Sequence, residues 1–403
     1  MSVKIKLLGD FAPTWDIKSV NFDINFKKYD LILTNLETPL VKNLVPNPKA
    51  GPNLSGNPDL LHIFDSNNVV INLANNHIMD YGKVGLIQTI EECQNMDFST
   101  IGAGQSLNDS IKPIIHEFEN TRIGIISFAE TQFGCADFNK AGYNPIINGF
   151  TEKLIQNLSN EVDICIVSVH GASEMCVWPS PKWQYLLRGY IDAGADIIYG
   201  HHSHVPQGYE EYNGGLIFYG LGNFVVNPEN WKKKENTLWS LIPEVAVSKR
   251  GIEDYQINTA IIENIGTIII RESDDNELQI HKNYLKHANQ PLNHQELLSA
   301  LWQEASIRMF NQFYAEWLGF NRKRPKIIIN LKNLKSIFQT HKKNENNINF
   351  DYLLKFVCIT CESHRFAIET ALGVMSGEID DLRTEETRDL VNRMMPWSKE
   401  FAD

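Results

Sequence analysis

Short runs of β-branched and other apolar residues recur along this chain, and each gives way at once to polar residues. Val3-Lys4-Ile5-Lys6-Leu7-Leu8 ends at Gly9-Asp10, Leu31-Ile32-Leu33-Thr34 at Asn35-Leu36-Glu37, and Val69-Val70-Ile71-Asn72-Leu73 at Ala74-Asn75-Asn76-His77. Ile164-Cys165-Ile166-Val167-Ser168-Val169 ends at His170, and Ala195-Asp196-Ile197-Ile198-Tyr199 at Gly200-His201-His202-Ser203-His204. Runs of this length bounded by turn residues predict strands, and helical periodicity between them predicts an α/β layering. One intervening helix is well marked: Trp183, Leu186, Leu187, Tyr190 and Ile191 recur at helical spacing between Ser180-Pro181 and Ala193-Gly194. It leads into the His-rich strand, so its packing is expected to fix that strand. The Pro- and Gly-rich stretch from Pro46 to Pro58 fits no regular element and is expected to form a loop beside the Glu37 motif. Strands are expected again at residues 266–270 and 278–280, completing a second sheet. From about Asn293 the pattern turns helical, near 294–318, 350–376 and 384–395, with the polar stretch 342–347 between.

Strand ends that meet at one edge of an α/β sheet share a crevice, and ligands usually bind there. Five polar endings therefore predict one site. Asp, Glu, Asn and His together form a ligand set for one or two divalent ions, manganese, zinc or iron, because imidazole suits borderline metals and carboxylate oxygen harder ones. His202 and His204 sit two apart where both imidazoles can face one space. His77, adjacent to Asn76, is placed to act as a general acid, its ordinary alternative being a buried histidine donating to a carbonyl. Asn75 and Asp80 are expected to support ligands from behind, although Asp80 would equally serve as N-cap for a helix beginning near Lys83. Alternation turns His201 away from any metal, toward a pocket-lining or structural role. Asn223 is expected to close the pocket by hydrogen bonds or to mark a tight turn.

Composition narrows the class. The chain has 403 residues, 43% hydrophobic, with a net charge of −12. That suffices for a substantial core in two or three domains and argues against generic nucleic-acid binding, which favours a basic face. No run reaches the length of a membrane helix, and Lys4 and Lys6 interrupt the only candidate for a leader, so a cytoplasmic protein is expected. Six cysteines lack disulfide-framework spacing, and Cys358-Ile359-Thr360-Cys361 is expected to be a packed helix face. Trp231-Lys232-Lys233-Lys234 reads as a solvated face and His364 as an ordinary helix residue. No pattern specifies an oligomeric state.

Gly9-Asp10, Asn35-Leu36-Glu37, Ala74-Asn75-Asn76-His77 with Asp80 and Gly82, His170-Gly171, Gly200-His201-His202-Ser203-His204 and Gly220-Leu221-Gly222-Asn223-Phe224 together resemble the CapA-type capsule-synthesis (poly-γ-glutamate biosynthesis) family. That family is similar to calcineurin-like metallophosphoesterases, and the match runs in order over residues 1 to about 230. The resemblance implies two packed mixed β-sheets flanked by helices over residues 1–285, followed by a helical C-terminal region, 286–403. It implies Asp10 and His204 at a first metal, Asn76, His170 and His202 at a second, and Glu37 bridging. Lys49 matches a lysine of many relatives that would bind an anionic substrate group; otherwise it is a solvated loop charge. Three departures stand out. Ala12 occupies the place of a usual histidine ligand, which predicts a weaker first metal. The arginine often found after Gly-Asp is missing, and Gly171 stands where relatives carry Trp. Cys361-Glu362-Ser363-His364-Arg365 loosely resembles a helical tail of some members.

The expected activity is a metal-dependent hydrolase, of phosphoester bonds first, acting on an anionic small-molecule or polymer substrate in capsule or surface-polymer biosynthesis. An acyl or amide hydrolase or transferase on a poly-γ-glutamate-like polymer needs the same oxyanion stabilisation, and a non-catalytic capsule-assembly factor would keep the fold without turnover.

Overall fold

The first apolar run becomes a central strand. In the computed structural model, which describes residues 2–64, 68–320 and 350–402, β1 (Val3–Phe11) pairs in parallel with β3 (Leu31–Leu36), followed by β4 (Val69–Asn72) and β5 (Ser99–Ile101). On its other side β1 pairs with antiparallel β16 (Glu244–Ser248), which pairs with β17 (Gly251–Gln256), while β14 (Asn223–Val225) joins the end of β1 in parallel. These seven strands form the first mixed sheet. The second has six strands in the order β12 (Tyr209–Tyr212), β13 (Gly215–Phe218), β11 (Ile197–His201), β10 (Ile164–His170), β8 (Thr121–Ala129) and β7 (Ile114–Phe118).

Strand alternation puts successive side chains on opposite faces. Ile5, Leu7, Leu31 and Leu33 of the first sheet meet Ile123, Ile125, Ile164 and Ile166 of the second in one buried cluster. Leu8, Ile32 and Leu36 face the other way into a second cluster. On the outer face of the second sheet, Cys165, Val167 and Val169 pack against Trp183, Leu187 and Tyr190 of the helix Pro181–Asp192. Ser180 caps that helix, its hydroxyl accepting from the Trp183 amide at 3.0 Å. The expected α/β architecture of two packed mixed sheets with flanking helices and a C-terminal helical region is the observed one.

Two expectations in the middle of the chain are corrected. The run at 266–270 joins not the second sheet but a third, four-stranded one: β15 (Trp239–Leu241), β18 (Thr259–Asn264), β19 (Ile268–Glu272) and β2 (Val20–Asp23). A two-stranded ribbon pairs β6 (Ala103–Gly104) with β9 (Gly142–Tyr143). Residues 278–280 lie within the helix Asp275–Asn289. Asp274 and Glu277 close a capping box there, each side chain accepting from the other's amide, at 2.9 and 2.8 Å. The buried residues His281, Leu285 and Ala288 then follow helical spacing.

The C-terminal helices Gln295–Met309, Phe350–Thr360, Glu362–Ser376 and Glu385–Met394 share a core that includes Leu298, Leu301, Ala305, Ala367, Ala371 and Val391. The segment expected at 350–376 breaks at Cys361, which adopts extended backbone before the next helix. Cys358 and Cys361 are both buried and form no disulfide. The polar stretch 342–347 lies outside the described residues. No helix among the described residues is long and apolar enough to cross a membrane.

Candidate metal centre

The strand ends are in register. Asp10 faces Asn35, Asn35 faces Asn72, and Asp10 also faces Asn223 across the first sheet. In the second, His170 faces His201 and Ala129. Parallel pairing thus brings polar residues from distant parts of the chain to one edge, and the two edges meet. Asp10, Glu37, His170 and His202 are all at most 2% exposed.

Among the described residues three overlapping groups have ligand atoms within 4.8 Å of one another: Asp10 with Glu37 and His204, Glu37 with His170 and His202, and Glu174 with His202 and His204. Glu37 Oε1 lies 3.7 Å from His204 Nε2 and 4.0 Å from His170 Nε2. Asn76 Oδ1 approaches His170 Nε2 at 3.1 Å. Ala12 lines the same cavity.

Each of these groups is held from behind. Asn35 donates to Asp10 Oδ1 at 2.8 Å, and its own carbonyl oxygen accepts from Asn72 and Asn75 at 3.0 and 3.1 Å. Asn75 also donates to the Leu36 carbonyl and accepts from the amides of His77 and Ile78. The His202 amide donates to Asp10 Oδ2 at 3.1 Å. His202 and His204 both take left-handed backbone, φ +83° and +57°, a costly conformation for residues with a side chain and one that clusters at functional sites. Asn223 neither closes the cavity nor marks a turn: its carbonyl oxygen sits 3.0 Å from His204 Nδ1 and its amide donates to Thr237.

Electrostatics show why this cluster is unbalanced by itself. Burial and the neighbouring Asp10 charge push Glu37 well above the usual carboxylate range. Burial also acts to raise Asp10, but the imidazoles of His201, His170 and His204 hold it below its ordinary value. Glu37 Oε1 and His202 Nδ1 are buried and without a hydrogen-bond partner among the described residues. Unmet acceptors of this kind, among close carboxylates and imidazoles, match the donor set of a divalent cation.

At three positions the structure decides between alternatives that the sequence leaves open. Lys49 is not a solvated loop charge: it is 5% exposed and ion-paired with Asp80, and it approaches His77 Nδ1 at 3.0 Å. Asp80 does not cap the helix Gly82–Gln94, whose N-cap is Tyr81 with no side-chain bond; it accepts instead from Lys49, from the Leu54 amide at 2.7 Å, and lies 2.8 Å from His77 Nδ1. His201 does not line the cavity over the centre. It is fully buried beneath the site, 3.1 Å from Asp10 Oδ1.

A cavity of about 480 Å³ opens onto the centre, its floor formed by Glu37, Asn76, His77, His202 and His204. Lys49, Ala50, Gly51 and Pro52 of the proline-rich loop form one wall, as expected for a loop beside the site. The opposite wall comes from the C-terminal helices through Phe313, Tyr314, Trp317 and His364, with the Trp231 ring tilted against that of His204, centroids 4.6 Å apart. His364 is thus a cavity residue, its Nδ1 2.9 Å from the Tyr314 hydroxyl. Glu174 and Glu130 were not singled out as candidates by sequence. Glu130 follows Ile123-Gly124-Ile125-Ile126-Ser127-Phe128-Ala129, the same strand-then-polar signature as the other five, so the signal was present.

The profile described as "Bacterial capsule synthesis protein PGA_cap" matches residues 11–228. The PGA biosynthesis protein CapA of Bacillus subtilis is 30% identical over 66% of this chain and 70% of its own. The capsule biosynthesis protein CapA of Bacillus anthracis is 34% identical over 42% of each chain. Among solved structures, a novel phosphatase from Mycoplasma pneumoniae aligns with 69% of this chain and 97% of its own at 16% identity, TM-score 0.39.

Proposed function

Starting from the chain's membership of the bacterial capsule synthesis protein PGA_cap family, we propose that it is a metal-dependent hydrolase, of phosphoester bonds first, working in the synthesis of a capsule or other surface polymer. One observation carries the reading: the partnerless Glu37 Oε1 and His202 Nδ1, buried among further imidazoles and carboxylates. Asp10, Glu37 and His204 would hold one cation, and Glu37, Asn76, His170 and His202 a second, with Glu37 shared. Manganese, zinc and iron all suit this set. When bound, such ions polarise an attacked phosphoryl or acyl oxygen and stabilise its developing charge.

The remaining work falls to this chain's own residues. Asp80 takes the Nδ1 side of His77 and fixes the ring, so Nε2 is left to serve the cavity and, once the ring has taken up a second proton, to pass that proton to the leaving group. Lys49 holds Asp80 in turn. The aromatic wall keeps water from one side of the floor and receives the organic part of an anionic substrate. The two-domain division, 1–285 and 286–403, belongs to this proposal, the second part supplying that wall.

His202→Ala and Asn76→Ala should abolish both metal retention, by elemental analysis, and turnover of an aryl phosphate or phosphodiester. An active, metal-free protein would sink the reading. The names of the relatives favour a second substrate, an acyl or amide bond in a polyglutamate-like polymer. A panel of phosphate and acyl substrates separates the two; metal without turnover on either would favour an assembly factor.

A further inference from the structure

Glu130 is buried, 1% exposed, yet it is a carboxylate with four partners. Its Oε1 lies 3.2 Å from His202 Nε2 and accepts from Gln132 Nε2 at 2.7 Å and from the Ser363 hydroxyl at 2.9 Å. Its Oε2 accepts from the Ser363 amide at 3.1 Å. Ser363 is the second residue of the helix Glu362–Ser376, whose N-cap, Cys361, offers no side-chain bond. Glu130 therefore caps that helix from 233 residues away in sequence. The same carboxylate engages Nε2 of His202, while Nδ1 of that ring has no hydrogen-bond partner among the described residues. A carboxylate on one imidazole nitrogen, with the other nitrogen left unpartnered, is the arrangement by which proteins orient a metal-ligating histidine and raise its basicity.

We propose that Glu130 is a positioning residue for the candidate metal centre, and that the C-terminal helical region acts on the centre by gripping it. The inference rests on the reading that His202 is a ligand. Two neighbouring contacts extend the grip. The Thr131 amide donates to Glu362 Oε2 at 2.7 Å, fixing the residue after Glu130. Trp397 Nε1 donates to the Met175 carbonyl at 3.1 Å, fixing the loop that follows His170. Met175 in turn donates its amide to the Ser203 carbonyl, between the two histidines, at 2.9 Å. The loop after β8, which carries Glu130, and the loop after β10 are thus both tied to residues beyond 360, and the second of them bonds in turn to Ser203. This gives the tail a function for which its own sequence contains no ligand motif: it sets the angle of His202.

The test uses the full chain, with Mn²⁺ and Zn²⁺ as probes in competition with a chromophoric chelator. Glu130→Ala should weaken binding by about 10- to 100-fold. Glu130→Gln keeps the acceptor for Ser363 but loses the charge, and should fall between Glu130→Ala and the wild type. Ser363→Ala, which keeps the amide bond to Glu130, should show a smaller loss in the same direction. Melting temperature read alongside separates this role from simple helix capping, because a cap alone lowers stability of the empty protein and leaves affinity unchanged. If Glu130→Ala does not fold, Glu130→Gln carries the comparison. Wild-type affinity in a folded Glu130 variant would overturn the inference while leaving the centre standing. A wild-type chain that binds neither ion would overturn the reading beneath it, and the inference with it.

Discussion

At the scale of the residue, the informative signal was a polar side chain placed where an apolar run stops. Asp10, Glu37, Asn76, His170, His202 and His204 could be named from that signal because a strand end fixes where a side chain goes more tightly than a loop does. Partners supplied by loops were less legible. Lys49 sits in a proline-rich stretch, and nothing in the order of its neighbours predicts that the loop folds back to bury its ammonium beside Asp80. That burial has a measurable consequence. His77 is pushed below its ordinary value by burial and by the Lys49 charge, with Asp80 opposing. Lys49→Met should therefore raise the His77 pKa, seen as a higher midpoint pH in an NMR titration of its ring protons; an unmoved midpoint would refute the coupling. His77→Asn should lower turnover by about 10²–10⁴-fold at unchanged metal content, since His77 belongs to none of the three ligand groups.

Among the elements, the helix Pro181–Asp192 shows how packing and site geometry are linked. Trp183 is 2% exposed, and a Cβ on Gly171 would lie 2.4 Å from its ring. The ring thus occupies space that a side chain beside His170 would need, which explains physically how this chain manages without a large residue at 171. Trp183→Ala should cost about 3–5 kcal/mol and reduce metal retention by freeing the His170 loop; unchanged melting and metal content would contradict this. In the helix Asp275–Asn289 the alternating apolar residues at 278 and 280 mimic a strand, whereas Asp274 and Glu277 already carry the capping-box spacing that starts a helix. Its His281 stacks on Trp239, ring centroids 3.9 Å apart, and lies 2.9 Å from the Thr259 hydroxyl. Burial lowers its pKa to about 4 from an ordinary 6.5. A depressed histidine stabilises the fold fully above the unfolded value and loses that contribution as pH falls toward the folded one. Stability should decline from pH 6.5 to about 4, and His281→Gln should flatten that slope in denaturant titrations at successive pH values.

For the whole molecule, two sheets, a helical tail and a loop enclose a centre with more buried acceptors than its own donors satisfy. Any cation that binds only the folded chain must stabilise it, by about 2.7 kcal/mol at a hundred times its dissociation constant. Dialysis against a chelator should lower the melting temperature and readdition of Mn²⁺ or Zn²⁺ should restore it, whereas His202→Ala should melt at one temperature in both states. The sequence by itself determined the α/β layering, the strand ends and the residue types gathered at them, because hydrophobic period and turn chemistry are local properties. Only the tertiary structure decided that the tail walls the cavity, that Lys49 is buried, and that Glu130 joins residue 363 to residue 202. Those outcomes depend on how separate elements pack, and contacts between residues hundreds of positions apart leave no periodic trace along the chain.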